Sequence, residues 1–178
     1  MNLKKAKTIC LLGLTMVLAM SLFWSCGYQL RGKASFWPPR MKKIYFPVFK
    51  NSSGRFQLDV KLTEKVINEL VARTGVIIVS DQDKADGMID GEVLSFKVDP
   101  IVVSEGGSAS KYKITIVTSI RFSDLINQTI LFYDDNYSYV EEYEVPTGSD
   151  FETEETKAID RAAEKFARQL VINLVEGF

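Results

Sequence analysis

The sequence predicts an α+β fold: a two-layer sandwich, with two helices on one face of a mixed, mostly antiparallel sheet of about four to five strands. Two segments carry a single apolar stripe at helical spacing. Between them lie three long segments in which apolar and polar residues alternate, as expected for strands. Because each helix has one apolar face, the simplest arrangement packs both helices side by side on one face of the sheet.

The first half of the domain reads as strand, helix, strand. Lys43–Phe49 is rich in aromatic and branched residues, and Pro47 within it indicates an edge position or a bulge. A helix is predicted from about residue 56 to 73, ending before Gly75, with a stripe of Val60, Leu62, Val66, Ile67, Leu70 and Val71. Val76–Val79 then reads as a short central strand, buried on both faces and parallel to the first.

Three strands and a helix follow. The apolar alternation of residues 86–103 changes phase, which predicts a bulge near Gly91 or just after it. After a Gly-Ser turn at 104–110 comes the most regular strand, Lys111–Phe122, and then residues 129–145, disturbed at 134–136. Ser149 to Glu152 matches a capping box that starts a second helix, with a stripe of Ile159, Ala162, Ala163, Phe166, Leu170, Val171 and Leu174.

The N-terminus has the order of an export signal. Three lysines precede an apolar stretch at residues 9–24, and Ser25 stands before Cys26. A cysteine at that point indicates cleavage by the lipoprotein peptidase and acylation of its sulfur. We therefore expect a signal peptide at 1–25, a lipidated tether at 26–42 and a single domain at 43–178. The alternative is an uncleaved anchor, although the apolar stretch is shorter than the ~20 residues of a membrane span.

Composition excludes several classes of site. The chain has no histidine, which removes Ser-His-Asp and Cys-His catalysis and imidazole zinc sites. There is no Walker A, G-x-G-x-x-G or G-x-S-x-G motif, and we expect neither a cofactor nor a metal. Without the leader lysines the chain has 19 basic and 23 acidic residues, so it does not resemble a nucleic-acid-binding protein.

Candidate binding residues lie on the strand Lys111–Phe122. Lys111, Lys113 and Arg121 share the side opposite its apolar residues, and they could meet the phosphates of an anionic lipid head group. The alternative is an ordinary solvated sheet face. The aspartates at 81, 83, 86, 134 and 135 fit no calcium loop and are better explained by turn chemistry.

Two runs of the chain are distinctive when taken together, Cys26–Gly32 (CGYQLRG) and Ile44–Asn51 (IYFPVFKN). They are accompanied by Glu69-Leu70 at the end of the first helix, Ala85-Asp86 before the long strand, and Gly91 within that strand. In these residues the chain resembles the LPS-assembly lipoprotein LptE family: the first run is similar to the family's mature start, and the second is similar to its first strand.

The resemblance implies a non-enzymatic outer-membrane lipoprotein, anchored through Cys26 on the periplasmic side. It would plug and stabilise the β-barrel LptD and assist lipopolysaccharide transport to the outer leaflet. Lys111, Lys113 and Arg121 are not matched to the family by any motif. Two other functions stay open: a lipoprotein adaptor or regulator of a cell-wall synthase or secretion pore, and a hydrolase that uses Asp or Glu alone.

Overall fold

A computed structural model describes residues 37–103 and 109–177 of the chain. The predicted signal peptide, Cys26, most of the tether and the tip of the Gly-Ser turn lie outside the described residues. The described part forms six strands, two α-helices and one 3-10 turn: β1 Lys43–Tyr45, β2 Lys50–Asn51, α1 Leu58–Thr74, β3 Ile77–Val79, the 3-10 turn Gln82–Lys84, β4 Gly87–Val103, β5 Ala109–Asp124, β6 Thr129–Glu144 and α2 Phe151–Glu176.

All six strands belong to one mixed sheet. The order is β3-β1-β4-β5-β6, and β2 pairs with β4 on the same side as β1. The short strands pair in parallel, whereas β4–β5 and β5–β6 form long antiparallel ladders. Both helices cover one face of this sheet, so the predicted fold class is confirmed.

Two details of the first strands were predicted wrongly. The segment Lys43–Phe49 is not one strand: pairing stops at Tyr45 and resumes at Lys50, because Pro47 between them cannot donate to the ladder. The strand predicted to be central, β3, is instead a short edge strand, and among the described strands it pairs with β1 alone. Ile77 is consequently 60% exposed.

Helix α1 packs through one face, as predicted, and ends at Gly75. The glycine has φ of 70°, and its N–H donates to the carbonyl of Val71 at 2.9 Å. Leu62, Val66 and Leu70 are fully buried. The predicted stripe was too wide, since Val60 and Val71 lie on its margins and are 50% and 39% exposed.

The N-cap of helix α2 lies one residue after Ser149, which the capping-box pattern predicts as the cap. The cap is Asp150, whose carboxylate accepts from the Thr153 N–H at 2.8 Å. All seven predicted stripe residues are buried. Among the described residues, no helix has both the length and the apolar character needed to cross a membrane.

The three long strands place the core on the helix side of the sheet. On β5, Ile114, Ile116, Ile120 and Phe122 are fully buried. The predicted bulge in β4 is confirmed as a register shift between Val93 and Ser95. The disturbance in β6 is confirmed as well, because two residues of β6, Asp135 and Asn136, there oppose one residue of β5, Ser119.

The core also includes residues that precede β1. Trp37 and Met41 are buried, and the indole N–H of Trp37 donates to the Met41 carbonyl at 3.1 Å. The Arg40 guanidinium pairs with Asp124 at the end of β5. This short segment therefore fastens the start of the domain to the turn between β5 and β6.

Candidate functional site

The face of β4, β5 and β6 that carries no helix is the candidate binding surface, called here the outer face. Its residues alternate along β5 with the buried isoleucines, so Lys111, Lys113, Thr115, Ser119 and Arg121 all lie on it, as the sequence predicted. Residues directly opposite each other in an antiparallel ladder share a face, so the register identifies their neighbours.

One end of the outer face carries a charged group called here the hairpin cluster: Lys97, Asp99, Lys111, Lys113, Glu142 and Glu144. Lys113 lies directly between Asp99 on β4 and Glu142 on β6. The Lys111 ammonium is 2.6 Å from the Glu142 carboxylate, and this hydrogen bond raises the pKa of Lys111. The three cations of the cluster are therefore balanced by three carboxylates.

Arg121 lies at the opposite end, beside a groove of about 270 Å³ called here the Arg121 groove. Its lining includes Pro47, Lys50, Asp90, Glu92, Ser119 and Arg121. The Arg121 guanidinium lies 5.5 Å from the centre of the Tyr133 ring, in cation–π geometry. Here too, two cations are accompanied by two carboxylates.

The predicted contacts do not form one patch. Arg121 is eight positions after Lys113 along a single strand, which corresponds to a distance of about 27 Å. Between them the outer face is uncharged and carries Ser95, Thr115, Val117, Ser138 and Val140. A single head group can therefore contact the hairpin cluster or the Arg121 groove, but not both.

Sequence reasoning identified the basic residues of β5 but missed the residues opposite them. The alternation of one strand shows which of its own side chains share a face, whereas the neighbours depend on register between distant segments. The same limit applies to Tyr137, Tyr139 and Tyr143, because the face on which they lie depends on the register of β6 with β5. They lie on the helix side, where Tyr137 packs edge-on against Phe166 of α2 with ring centres 5.7 Å apart.

The carboxylates of the turns have local roles. Asp134 accepts from the Asn136 N–H at 2.9 Å, and Asp81 accepts from the Asp83 N–H at 3.1 Å. Asp86 accepts from the N–H groups of Lys43 and Lys42, which lowers its pKa. Within residues 37–103 and 109–177 there is no cluster of three or more His, Cys, Asp or Glu suited to a metal ion.

Comparison with solved structures supports the fold. A hypothetical protein from Chlamydia trachomatis is 8% identical, with a TM-score of 0.51 over 75% of this chain and 98% of its own. An uncharacterized lipoprotein B from Nitrosomonas europaea is 14% identical, with a TM-score of 0.51 over 83% and 92%. At these identities the similarity concerns architecture alone. Among curated proteins, no sequence matches this chain significantly.

The family model for lipopolysaccharide assembly, LptE, matches residues 41–174. That range runs from the segment before β1 almost to the end of α2 and so includes both helices and every strand. The chain therefore belongs to the LptE lipopolysaccharide-assembly family.

Proposed function

We propose that this protein is an outer-membrane lipoprotein that plugs and stabilises an LptD-type β-barrel and assists lipopolysaccharide transport to the outer leaflet. The family match over residues 41–174 carries the proposal. Cys26 would hold the lipid, with residues 1–25 removed as a signal peptide. The protein would act by binding and positioning, without a catalytic residue of its own.

The outer face has the chemistry that a barrel lumen requires. The interior of a large outer-membrane barrel is polar, and barrels of about 22 strands are wide enough to hold a plug. At both ends of the outer face, cations and carboxylates are present in equal numbers, and the stretch between them is uncharged. Such a surface can face a polar wall without burying unpaired charge.

The size of the sheet agrees with this placement. Strands β4, β5 and β6 each have 16 or 17 residues, a length of about 54–58 Å. The apolar band of an outer-membrane barrel is about 25 Å tall. A plug of this length would extend beyond the lumen toward the periplasm, where lipopolysaccharide would first meet it.

Lys111, Lys113 and Arg121 are proposed as contacts for the phosphates of lipopolysaccharide. Lysine offers a point charge and arginine a planar fork, and both suit a phosphate. Of the three, Lys113 is best placed, because Glu142 is already hydrogen-bonded to Lys111. Arg121 would require a second, separate contact at the far end of the outer face.

The direct test is purification of the native lipoprotein from detergent-extracted envelopes, followed by mass spectrometry of the proteins recovered. We expect a large β-barrel in near-stoichiometric amount, and we expect each partner to be less stable when the other is depleted. A Cys26→Ser variant should lose the lipid and its place in the membrane fraction. Recovery of a cell-wall synthase or a secretion pore without a barrel would instead support an adaptor function.

A further inference from the structure

Strand β6 forms one edge of the sheet. It pairs with β5 along its length, and no described strand or loop pairs with its other side. Such an edge presents unpaired backbone N–H and C=O groups to any extended chain that approaches. The opposite edge, β3, has only three residues and offers little room for pairing.

The direction of the backbone groups follows from one hydrogen bond. The Val145 N–H donates to the Ser110 carbonyl at 2.9 Å, so residue 145 points its backbone toward β5. In an antiparallel ladder this direction alternates. Residues 137, 139, 141 and 143 therefore also bond toward β5. The backbone groups of Ser138, Val140, Glu142 and Glu144 point away from the sheet.

The usable part of this edge is limited to eight residues. From Tyr137 to Glu144 the register with β5 is continuous, whereas the bulge at residues 134–136 interrupts it on the other side. We call this stretch, Tyr137–Glu144, the open edge. It is long enough to bond to four alternate residues of an added strand.

The charge of the strand indicates what can pair with it. β6 contains five carboxylates and no lysine or arginine: Asp134, Asp135, Glu141, Glu142 and Glu144. Glu141 faces the helices and is neutralised by Lys165, whose ammonium lies 2.7 and 3.0 Å from its two oxygens. Glu142 and Glu144 lie on the outer face, directly beside the place that an added strand would take. One oxygen of Glu142 is already bonded to Lys111 on the β5 side, so a basic partner would meet its other oxygen and the Glu144 carboxylate.

A second copy of β6 fits this edge poorly. It would bring its own row of carboxylates against Glu142 and Glu144, and like charges on neighbouring strands destabilise pairing. A strand with lysine or arginine at alternate positions would gain opposite-charge pairs instead. Between the acidic residues and Ser138 lies Val140, which is 49% exposed and suits an apolar neighbour.

We propose that the open edge binds an extended, basic segment of another protein by β-strand addition. The segment would hydrogen-bond to residues 138, 140, 142 and 144, place basic side chains beside Glu142 and Glu144, and cover Val140. This inference does not depend on the outer-face contacts proposed for lipopolysaccharide, because it concerns the edge of the sheet.

The test uses the full chain in detergent micelles and three synthetic octapeptides: alternating Lys and Val, the same peptide with the backbone nitrogens of two lysines methylated, and alternating Glu and Val. In the pairing proposed, the lysines lie opposite residues 138, 140, 142 and 144, so their backbone N–H groups are the ones that donate to the open edge. We expect the Lys-Val peptide to bind. The N-methylated peptide keeps the charge but loses two of these donors, so it should bind at least about tenfold more weakly. Hydrogen exchange should slow at the amides of residues 138, 140, 142 and 144 when the Lys-Val peptide is added.

Variants locate the site. Val140→Lys and Glu144→Lys should each weaken binding of the Lys-Val peptide, whereas Glu64→Lys on the exposed surface of α1 makes the same change in charge as Glu144→Lys and should leave binding unchanged. Circular dichroism checks that each variant folds. Equal binding of the Lys-Val and N-methylated peptides, no binding of either, or protection at other amides would contradict the proposal. So would a dimer of the free chain with these amides already protected.

Discussion

Trp37 lies flat against Phe122, with ring centres 4.9 Å apart and planes inclined by 13°. Trp37 precedes the first strand, whereas Phe122 lies near the end of β5 and is fully buried. This contact holds the segment that precedes the first strand against the sheet near the end of β5. The domain core therefore begins before its regular secondary structure.

We expect Trp37→Ala to lower the free energy of unfolding by about 3 kcal/mol, because it removes a large buried aromatic side chain and its stacking contact with Phe122. Trp37→Phe should cost less, since it keeps the ring contact and loses only the hydrogen bond to Met41. Urea unfolding followed by circular dichroism measures both. A loss below about 1 kcal/mol for the alanine variant would mean that this segment is not part of the folded core.

Gly91→Ala should also destabilise the domain, in this case through steric crowding. A Cβ at Gly91 would lie 2.9 Å from the Ile120 side chain and 2.9 Å from the Ser119 carbonyl oxygen. We expect a loss of about 1–3 kcal/mol in urea unfolding.

Gly75→Ala provides a control of a different kind. Gly75 has positive φ but open space around it, so its substitution should cost roughly 1 kcal/mol from backbone strain alone. A neutral Gly91→Ala substitution would contradict the close packing of Gly91 against Ser119 and Ile120 of β5.

The stability of the domain should fall at acid pH, in part through Asp124. Burial pushes the pKa of this carboxyl upward, but hydrogen bonds from the Asn127 and Ile126 N–H groups and the Arg40 guanidinium outweigh it, and the net pKa lies below its ordinary value of 3.8. A group whose pKa is lower in the folded state stabilises that state above the unfolded pKa. The stabilisation is lost as pH falls through the folded pKa.

Asp124→Asn should therefore lose less stability than the wild-type chain between about pH 5 and pH 3. The amide keeps a side-chain oxygen for the N–H groups, so the turn is preserved. Urea unfolding at several pH values measures the difference, and Asp135→Asn, in an exposed position, controls for the change in net charge. Identical pH profiles for Asp124→Asn and wild type would exclude Asp124 as a source of the acid sensitivity.

Substitutions in the hairpin cluster should change lipopolysaccharide binding in opposite directions. Lys113→Glu should weaken binding by about fivefold at low salt, which corresponds to ~1 kcal/mol for an exposed charge. Glu142→Gln should strengthen it, because it removes the carboxylate charge that competes with phosphate for Lys111 and Lys113. Both effects should shrink as ionic strength rises.

A fluorescent lipopolysaccharide titration at two salt concentrations measures these affinities. Lys157→Glu on α2 serves as the matched control, since it reverses a charge on the helix side. If Lys113→Glu and Lys157→Glu had equal effects, net charge rather than the hairpin cluster would govern binding.

Local sequence patterns predicted the helices and strands well, but they predicted less well which strands pair with each other. The alternation of β5 and the glycine after α1 are encoded within a few residues, and both predictions were confirmed. The position of β3 at the edge depends on which strand pairs with β1, a contact more than 30 residues distant in sequence. An all-apolar run such as Val76–Val79 is compatible with either a central or an edge position, so it does not predict which one the strand takes.

The same distinction applies to the candidate site. Lys113 was assigned to the correct face from the period of its own strand. The carboxylates that flank it, Asp99 and Glu142, come from two other strands and depend on register across a turn and a bulge. For this reason the sequence predicted a basic face, whereas the assembled sheet has a charge-balanced one.

The helical layer is built from segments at opposite ends of the chain. Arg55, just before α1, pairs with Glu155 of α2, which is 100 residues away, and Lys61 pairs with Asp160, 99 residues away. A nascent chain that leaves the ribosome N-terminus first cannot complete this layer until α2 has emerged. Until then, the fully buried isoleucines of β5 lack the second helix that covers them, so the apolar side of a long sheet stays uncovered until the chain is nearly complete.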